Sequence, residues 1–231
     1  MSTNNLSTPA SGRFSLSAAA LHILAMVLML MDHLWATLLP AQDWLTCAGR
    51  LTFPIFAFMA VEGYFHTHSF RKYALRMLGF ALLSEFPFDW AFFSGVWWGH
   101  QNVYFTLLLG LLAMKALDTF RTGEGTPDAR GILCAAACTG AAALLRCDYD
   151  VMGMALILAL YLTREDRTAQ CIAGAVFTLF EPVAPLAFGL VWFYSGERGS
   201  CSRAEQWAFY WFYPVHLFLL AVLTNLLLFQ K

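Results

Sequence analysis

Charge is what this chain has least of. Asp, Glu, Lys and Arg make up 13% of its 231 residues, against 59% hydrophobic residues, and the formal net charge is -1. A soluble domain carries roughly a quarter of its residues as charges to keep its surface in water. Scarcity on this scale excludes that class and indicates a chain whose solvent is lipid. A basic surplus is also missing, and the Lys and Arg residues are scattered rather than gathered in a stripe, so nucleic acid is excluded as a partner. The six cysteines (Cys47, Cys134, Cys138, Cys147, Cys171, Cys201) contain no CxxC pair and no His at ligand spacing. No metal is expected, and the thiols read as small apolar groups, with a Cys47 to Cys147 disulfide left open. Long hydrophilic loops are absent too, the longest connection being Asp118 to Arg130, and no internal repeat is evident.

What fills the chain instead is a series of apolar segments: Ala18 to Leu39, Leu45 to Tyr64, Tyr73 to Phe93, Asn102 to Leu117, Gly131 to Leu145, Val151 to Leu162, Ala169 to Phe180, Val183 to Tyr194 and Trp207 to Phe229. The pattern predicts an all-α, polytopic transmembrane helical bundle of about nine segments. The four from Gly131 to Tyr194 are shorter than the ~20 residues needed to span hydrocarbon, which suggests tilt or partial re-entry. Glu181 and Pro182 alone part the seventh from the eighth, as a hairpin or as one kinked helix. Residues 1–16, rich in Ser, Thr and Asn, read as a disordered tail, and 17–231 as a single membrane-embedded domain. The first segment has no small-residue cleavage site and reads as a retained helix. Lys and Arg concentrate in alternate loops, at Arg71, Lys72 and Arg76, then Arg121 and Arg130, Arg164 and Arg167, Arg198 and Arg203. Those loops and the N-terminus are expected on the cytoplasmic side.

The opposite side is expected to collect polar residues at its helix ends: Asp32, His33, Arg50, Glu85, Asp89, Gln101, Asn102, Arg146, Asp148, Asp150 and Glu181. Polar groups within an apolar shell are costly and mark a candidate site. Glu85 and Asp89 share one helical face around Pro87, and Arg50 calls for a carboxylate partner. His216, in the middle of the last segment, and His33 are placed to share one cavity. Asp32 adjoins His33 but points about 100° away, so Glu85, Asp89 or Asp148 is the expected orienting partner. His22 and His33, eleven residues apart, lie on one face of the first helix. Trp97, Trp98, Trp192 and Trp207 read as interfacial belt residues.

Several ordered motifs resemble the TraX family. They are Leu21-His22-Ile23-Leu24-Ala25 leading to Met31-Asp32-His33, Gly49-Arg50-Leu51-Thr52-Phe53-Pro54-Ile55-Phe56-Ala57-Phe58, Val61-Glu62-Gly63 with Thr67, Ser84-Glu85-Phe86-Pro87-Phe88-Asp89 and Gln101-Asn102-Val103-Tyr104-Phe105-Thr106-Leu107. Asp148-Tyr149-Asp150 with Gly153, Tyr194-Ser195-Gly196-Glu197-Arg198-Gly199 and Phe212-Tyr213-Pro214-Val215-His216-Leu217 continue the series. The resemblance implies a multi-pass protein of the bacterial cytoplasmic membrane, related to the conjugation protein that acetylates the pilin amino terminus. It also implies distant kinship with acyltransferase-3 type enzymes, which carry a basic residue and a His eleven apart on the first helix. His22 stands where the family usually has Lys, and a neutral imidazole is a poorer phosphate partner than an ammonium.

On that basis acetyl-CoA is the expected acyl donor, with Arg71, Lys72, Arg198 and Arg203 meeting its phosphates. His33 is the expected general base or nucleophile, with Asp32, Glu85, Asp89 and His216 in the catalytic group. Arg50 and Asn102 are expected oxyanion donors, and Gln101, Asp148, Asp150 and His22 complete the substrate-binding set. The acceptor is left open between a protein amino terminus, a glycan and a small molecule. Two other functions account for the same buried polar residues: a proton- or cation-coupled transporter, and a non-catalytic scaffold for membrane assembly.

Overall fold

The computed structural model describes residues 15–123 and 125–228. Most of the expected N-terminal tail therefore lies outside the described residues. Its last described residue is tied down: Leu16 donates to the Phe193 carbonyl at 2.8 Å and accepts from Ser195 N at 2.9 Å.

Ten α-helices run in order: α1 Ala18–Thr37, α2 Asp43–Gly49, α3 Thr52–His66, α4 Phe70–Phe93, α5 Val103–Thr119, α6 Ala129–Leu145, α7 Asp150–Leu162, α8 Arg167–Phe177, α9 Ala187–Trp192 and α10 Arg203–Leu228. Among the described residues there is no strand, only three isolated bridges. Helix is the expected answer for apolar backbone in lipid, since every internal N–H and C=O is then bonded within its own segment. The free N–H groups of the first turns are met by side chains: Ser17 accepts from Ala20, Ser69 from Lys72, Asp128 from Arg130 and Gly131, and Asp166 from Thr168 and Ala169.

Where one segment was expected over Leu45 to Tyr64, the structure has two helices, with Arg50 and Leu51 between them. Pro54 explains the break, because it has no N–H to offer the Arg50 carbonyl four residues back. The joined stretch Asp43–His66 is still long and apolar enough to cross a membrane, as are Ala18–Thr37 and Arg203–Leu227. α3 is the central helix, packed against α1, α5, α7 and α9, and it buries Phe53, Ile55, Ala57, Phe58 and Val61. The segment that sequence left open between hairpin and kinked helix is a hairpin. α8 and α9 pack against each other across a turn at residues 178–186, and Gly174 of α8 meets the Phe188 ring of α9.

This arrangement divides the molecule into two ends. The start of α1, the end of α3 and the loops around residues 67–69, 120–128, 163–166 and 193–202 lie together. Glu62 with Arg164, Tyr64 with Asp118, Tyr161 with Asp118 and Leu16 with Tyr194 link them. Of the described Lys and Arg residues, only Arg50 and Arg146 lie at the opposite end.

A Cβ at Gly174 would sit 2.2 Å from Cε1 and Cζ of Phe188, a buried ring. Gly174→Ala is expected to destabilise the fold by about 1–3 kcal/mol through overpacking, more than the ~1 kcal/mol that alanine returns in helix propensity. The measurement is the apparent unfolding temperature in detergent. An unchanged value would mean that α8 and α9 do not pack as a hairpin.

Candidate functional site

At the end opposite the basic loops, α1 and α10 cross with His33 facing His216. His33 Nδ1 and His216 Nε2 are 2.6 Å apart, and the rings stack with centroids 4.9 Å apart. The tautomers follow from one further contact. His216 Nδ1 lies 2.6 Å from the Phe212 carbonyl, which can only accept, so Nδ1 carries the proton and Nε2 of the neutral ring carries a lone pair. His33 Nδ1 must then donate to His216 Nε2, which leaves the lone pair of His33 on Nε2. No hydrogen bond among the described residues uses that nitrogen. His216 is buried, His33 is partly exposed, and Phe92 and Tyr213 present ring edges to it.

The expected carboxylate orienter is therefore replaced by a second imidazole. Glu85 Oε1 accepts from Asn102 N at 3.0 Å and from Asn102 Nδ2. Asp89 is buried and accepts from Trp97 N at 2.8 Å, while its other oxygen has no donor. Asp32 faces α2, where it accepts from Thr46 Oγ1 at 2.8 Å and packs against Gly49, which has no room for a side chain. Asn102 is fully buried and spent: its Oδ1 caps α5 at Tyr104 N and its Nδ2 serves Ala81 O and Glu85. It is a joint between α4 and α5 and has no donor left for an oxyanion. Gln101 is likewise committed, with Nε2 on Trp98 O and its backbone bonded to Arg146 and Asp148. Arg50 finds its carboxylate in Glu181, at 3.3 Å, linking the α2–α3 break to the α8–α9 turn.

Asp148 and Asp150 lie in and just after the turn 146–149, beside the loop 94–102. The four described non-glycine residues with left-handed backbone are Ser94, Arg146, Tyr149 and Asp150, and all belong to these two connections. Strain of this kind persists where surrounding contacts over-determine it and gathers at functional sites. Here the contacts are Gln101 with Arg146 and Asp148, Thr106 with the Asp148 carbonyl, and Tyr149 stacked on Phe53 at 3.8 Å. Sequence reading passed over His100, whose Nε2 is 3.7 Å from Asp148 Oδ1. Only its place beside Gln101 in a loop bordered by carboxylates could have signalled it. Asp148 raises the His100 pKa above its usual value, with Glu85 and Asp150 adding to the effect and burial opposing it.

The six described cysteines are all free, so Cys47 and Cys147 form no disulfide. Among the described residues no group of His, Cys, Asp and Glu is placed to hold a metal ion.

The basic end holds a cavity of about 910 Å³. The starts of α1, α4 and α10 open onto it, each bringing the positive end of a helix dipole. Lys72, Arg76, Arg198 and Arg203 line it together with His22, His66, His68 and the buried carboxylate Glu62. Of the expected phosphate-binding residues, Lys72, Arg198 and Arg203 are therefore brought together, whereas Arg71 is exposed and outside the lining. Arg76, one turn on from Lys72, takes its place and stands over the Tyr210 ring at 5.4 Å. His22 belongs to this cavity and not to the other site. It is stacked on Phe209 at 4.9 Å, with Nδ1 donating to Ala18 O at 3.2 Å. Tyr104 lines the inner wall and meets Tyr213, the ring that touches both imidazoles of the pair.

A family model described as TraX protein matches residues 17–224. The chain belongs to the TraX family. Among similar proteins, one from Dichelobacter nodosus named probable fimbrial assembly protein FimC, serogroup H1, is 29% identical, with 91% of this chain and 96% of that one covered. Protein TraX of Escherichia coli K12 is 29% identical over 71% of this chain and 63% of its own length. A second Escherichia coli Protein TraX is 26% identical over the same shares. No solved structure matches. Family membership and the three helices of membrane-spanning length agree on a membrane protein.

Because the pKa of His100 is raised in the folded protein, its pairing contributes stability in full below the unfolded value of about 6.5. That contribution is lost as pH rises through the higher folded value. Thermal stability is expected to fall between about pH 6 and 8, and Asp148→Asn is expected to reduce this dependence. Melting curves across the range check it; equal pH slopes in the two proteins would contradict it.

Proposed function

We propose that the chain is an integral membrane acyltransferase. It would move an acetyl group from acetyl-CoA, held at the basic end, to an amine or hydroxyl acceptor at the His33–His216 pair. The locked tautomer of that pair is the observation that carries the proposal, because it leaves His33 Nε2 with a lone pair and no competing hydrogen bond. A general base needs both. In the proposed step Nε2 takes the proton of the acceptor as the acceptor attacks the thioester carbonyl. The C–S bond breaks, the same nitrogen returns the proton to the leaving thiolate, and the products are an amide or ester and free coenzyme A. His216 shares the transient positive charge through the Nδ1–H contact.

The basic cavity supports a polyanionic donor, since helix N-termini and unpaired cations are the usual cradle for phosphates. His22 and His33 are about 16 Å apart along α1, so the acyl arm would run from the cavity past Tyr104 and Tyr213. The sorting of Lys and Arg to one end supports nine membrane segments in a bacterial cytoplasmic membrane, with that end and the N-terminus inside. The name of the Dichelobacter nodosus relative favours an acceptor that belongs to a surface appendage.

Purified protein given acetyl-CoA and a panel of amine and hydroxyl acceptors is expected to release free thiol. His33→Ala should lower the rate at least ~100-fold, and Arg76→Ala should raise KM more than it lowers kcat. Activity should also fall on acidification, as protonation removes the lone pair from His33 Nε2. Absence of thiol release together with absence of acetyl-CoA binding would overturn the proposal. An ion flux in liposomes that is lost in His33→Ala would replace it with transport.

A further inference from the structure

Pro214 lies inside α10, one turn after Tyr210 and two residues before His216. Its ring has no N–H, so the Tyr210 carbonyl is left without the helical donor it would otherwise have. The Tyr104 hydroxyl, reaching across from α5, donates to that carbonyl at 3.1 Å. Tyr104 is buried, and its ring meets Tyr213 edge-on with centroids 5.3 Å apart. Tyr213 in turn touches His33 and His216.

We infer that Tyr104 is a positioning residue for the His33–His216 pair. By supplying the hydrogen bond that Pro214 withholds, it fixes the bend of α10 at which His216 Nε2 meets His33 Nδ1. A carbonyl freed by proline in an apolar interior is costly until it is bonded again, and the clash of the proline ring with it leaves the helix able to kink there. The bond from Tyr104 selects one bend. His216 is tethered to α10 through its own contact with the Phe212 carbonyl, so it moves with the helix and has no independent hold on His33. The 2.6 Å contact between the rings therefore depends on the angle at Pro214. The tyrosine also lines the basic cavity, so one side chain spans the proposed donor site and the helix that carries the second imidazole.

This inference rests on the acyltransferase reading only for its activity readout. The test is a double-mutant cycle with Tyr104→Phe and Pro214→Ala, followed by 15N-histidine NMR and by thiol release from acetyl-CoA. A fixed tautomer gives two widely separated ring-nitrogen signals, and an exchanging one gives averaged signals. Tyr104→Phe is expected to average the His33 signals, because His33 Nδ1 loses its acceptor while His216 stays bonded within α10, and to lower thiol release about tenfold. Pro214→Ala returns the helical N–H, so adding Tyr104→Phe in that background should change neither readout. Unchanged His33 signals in Tyr104→Phe would overturn the inference, and so would equal effects in both backgrounds, which would make the tyrosine a cavity-wall residue only. If the signals follow the cycle but wild type releases no thiol, the positioning role stands and the acyltransferase reading falls.

Discussion

A polar group buried in this bundle is costly until it finds a partner inside the protein, because lipid offers none. That requirement accounts for most of the contacts that hold the helices in place. Asn102 spends every polar atom joining α4 to α5, and Arg50 binds Glu181 and so connects the break before α3 to the turn after α8. At the basic end Asp118 accepts from Tyr64, Tyr161 and Arg121, tying α3, α5 and α7. The His33–His216 pair obeys the same rule with one difference: its donors and acceptors are matched in series and the last nitrogen in the chain is left over. A buried network that is complete except at one lone pair is a different object from one that merely locks helices.

Much of the fold was legible in the sequence because lipid imposes long apolar runs and sorts charge. Helix ends agree to within a few residues, and the hairpin of α8 and α9 was one of the two readings left open. What the sequence concealed was local. The break in the second segment depends on Pro54 and the Arg50 carbonyl four residues earlier, a relation easily lost inside an apolar run. Arg71 was preferred to Arg76, although Lys72 and Arg76 are four apart with Ser69 on the same face, and Arg71 points about 100° away from Lys72. All three of the facing residues line the cavity.

The pairing of His33 with His216 spans 183 positions, and the sequence alone supplied proximity without roles. Carboxylates near a histidine are the commoner orienting partners, which is why Glu85, Asp89 and Asp148 were expected there. In the structure each is engaged elsewhere: Glu85 with Asn102, Asp89 with the Trp97 amide and Asp148 with His100. Partner choice was settled by the crossing of α1 and α10, and α10 is held against α4 as well. Pro87 in α4 and Pro214 in α10 sit in the interior of helices that pack against each other.

The hairpin of α8 and α9 is short for a membrane segment, and a lipid-facing position would have a mechanical consequence. At 1.5 Å per residue, α8 is about 16 Å long and α9 about 9 Å, against a hydrocarbon thickness of about 30 Å. A bilayer meets such a mismatch by thinning locally. Were the hairpin to face lipid, thinning beside it would draw the lipid surface down toward the Arg50–Glu181 pair. The leaflet there would become a dimple, bringing the polar end of the bundle closer to bulk water on that flank than on the flank walled by α4 and α10.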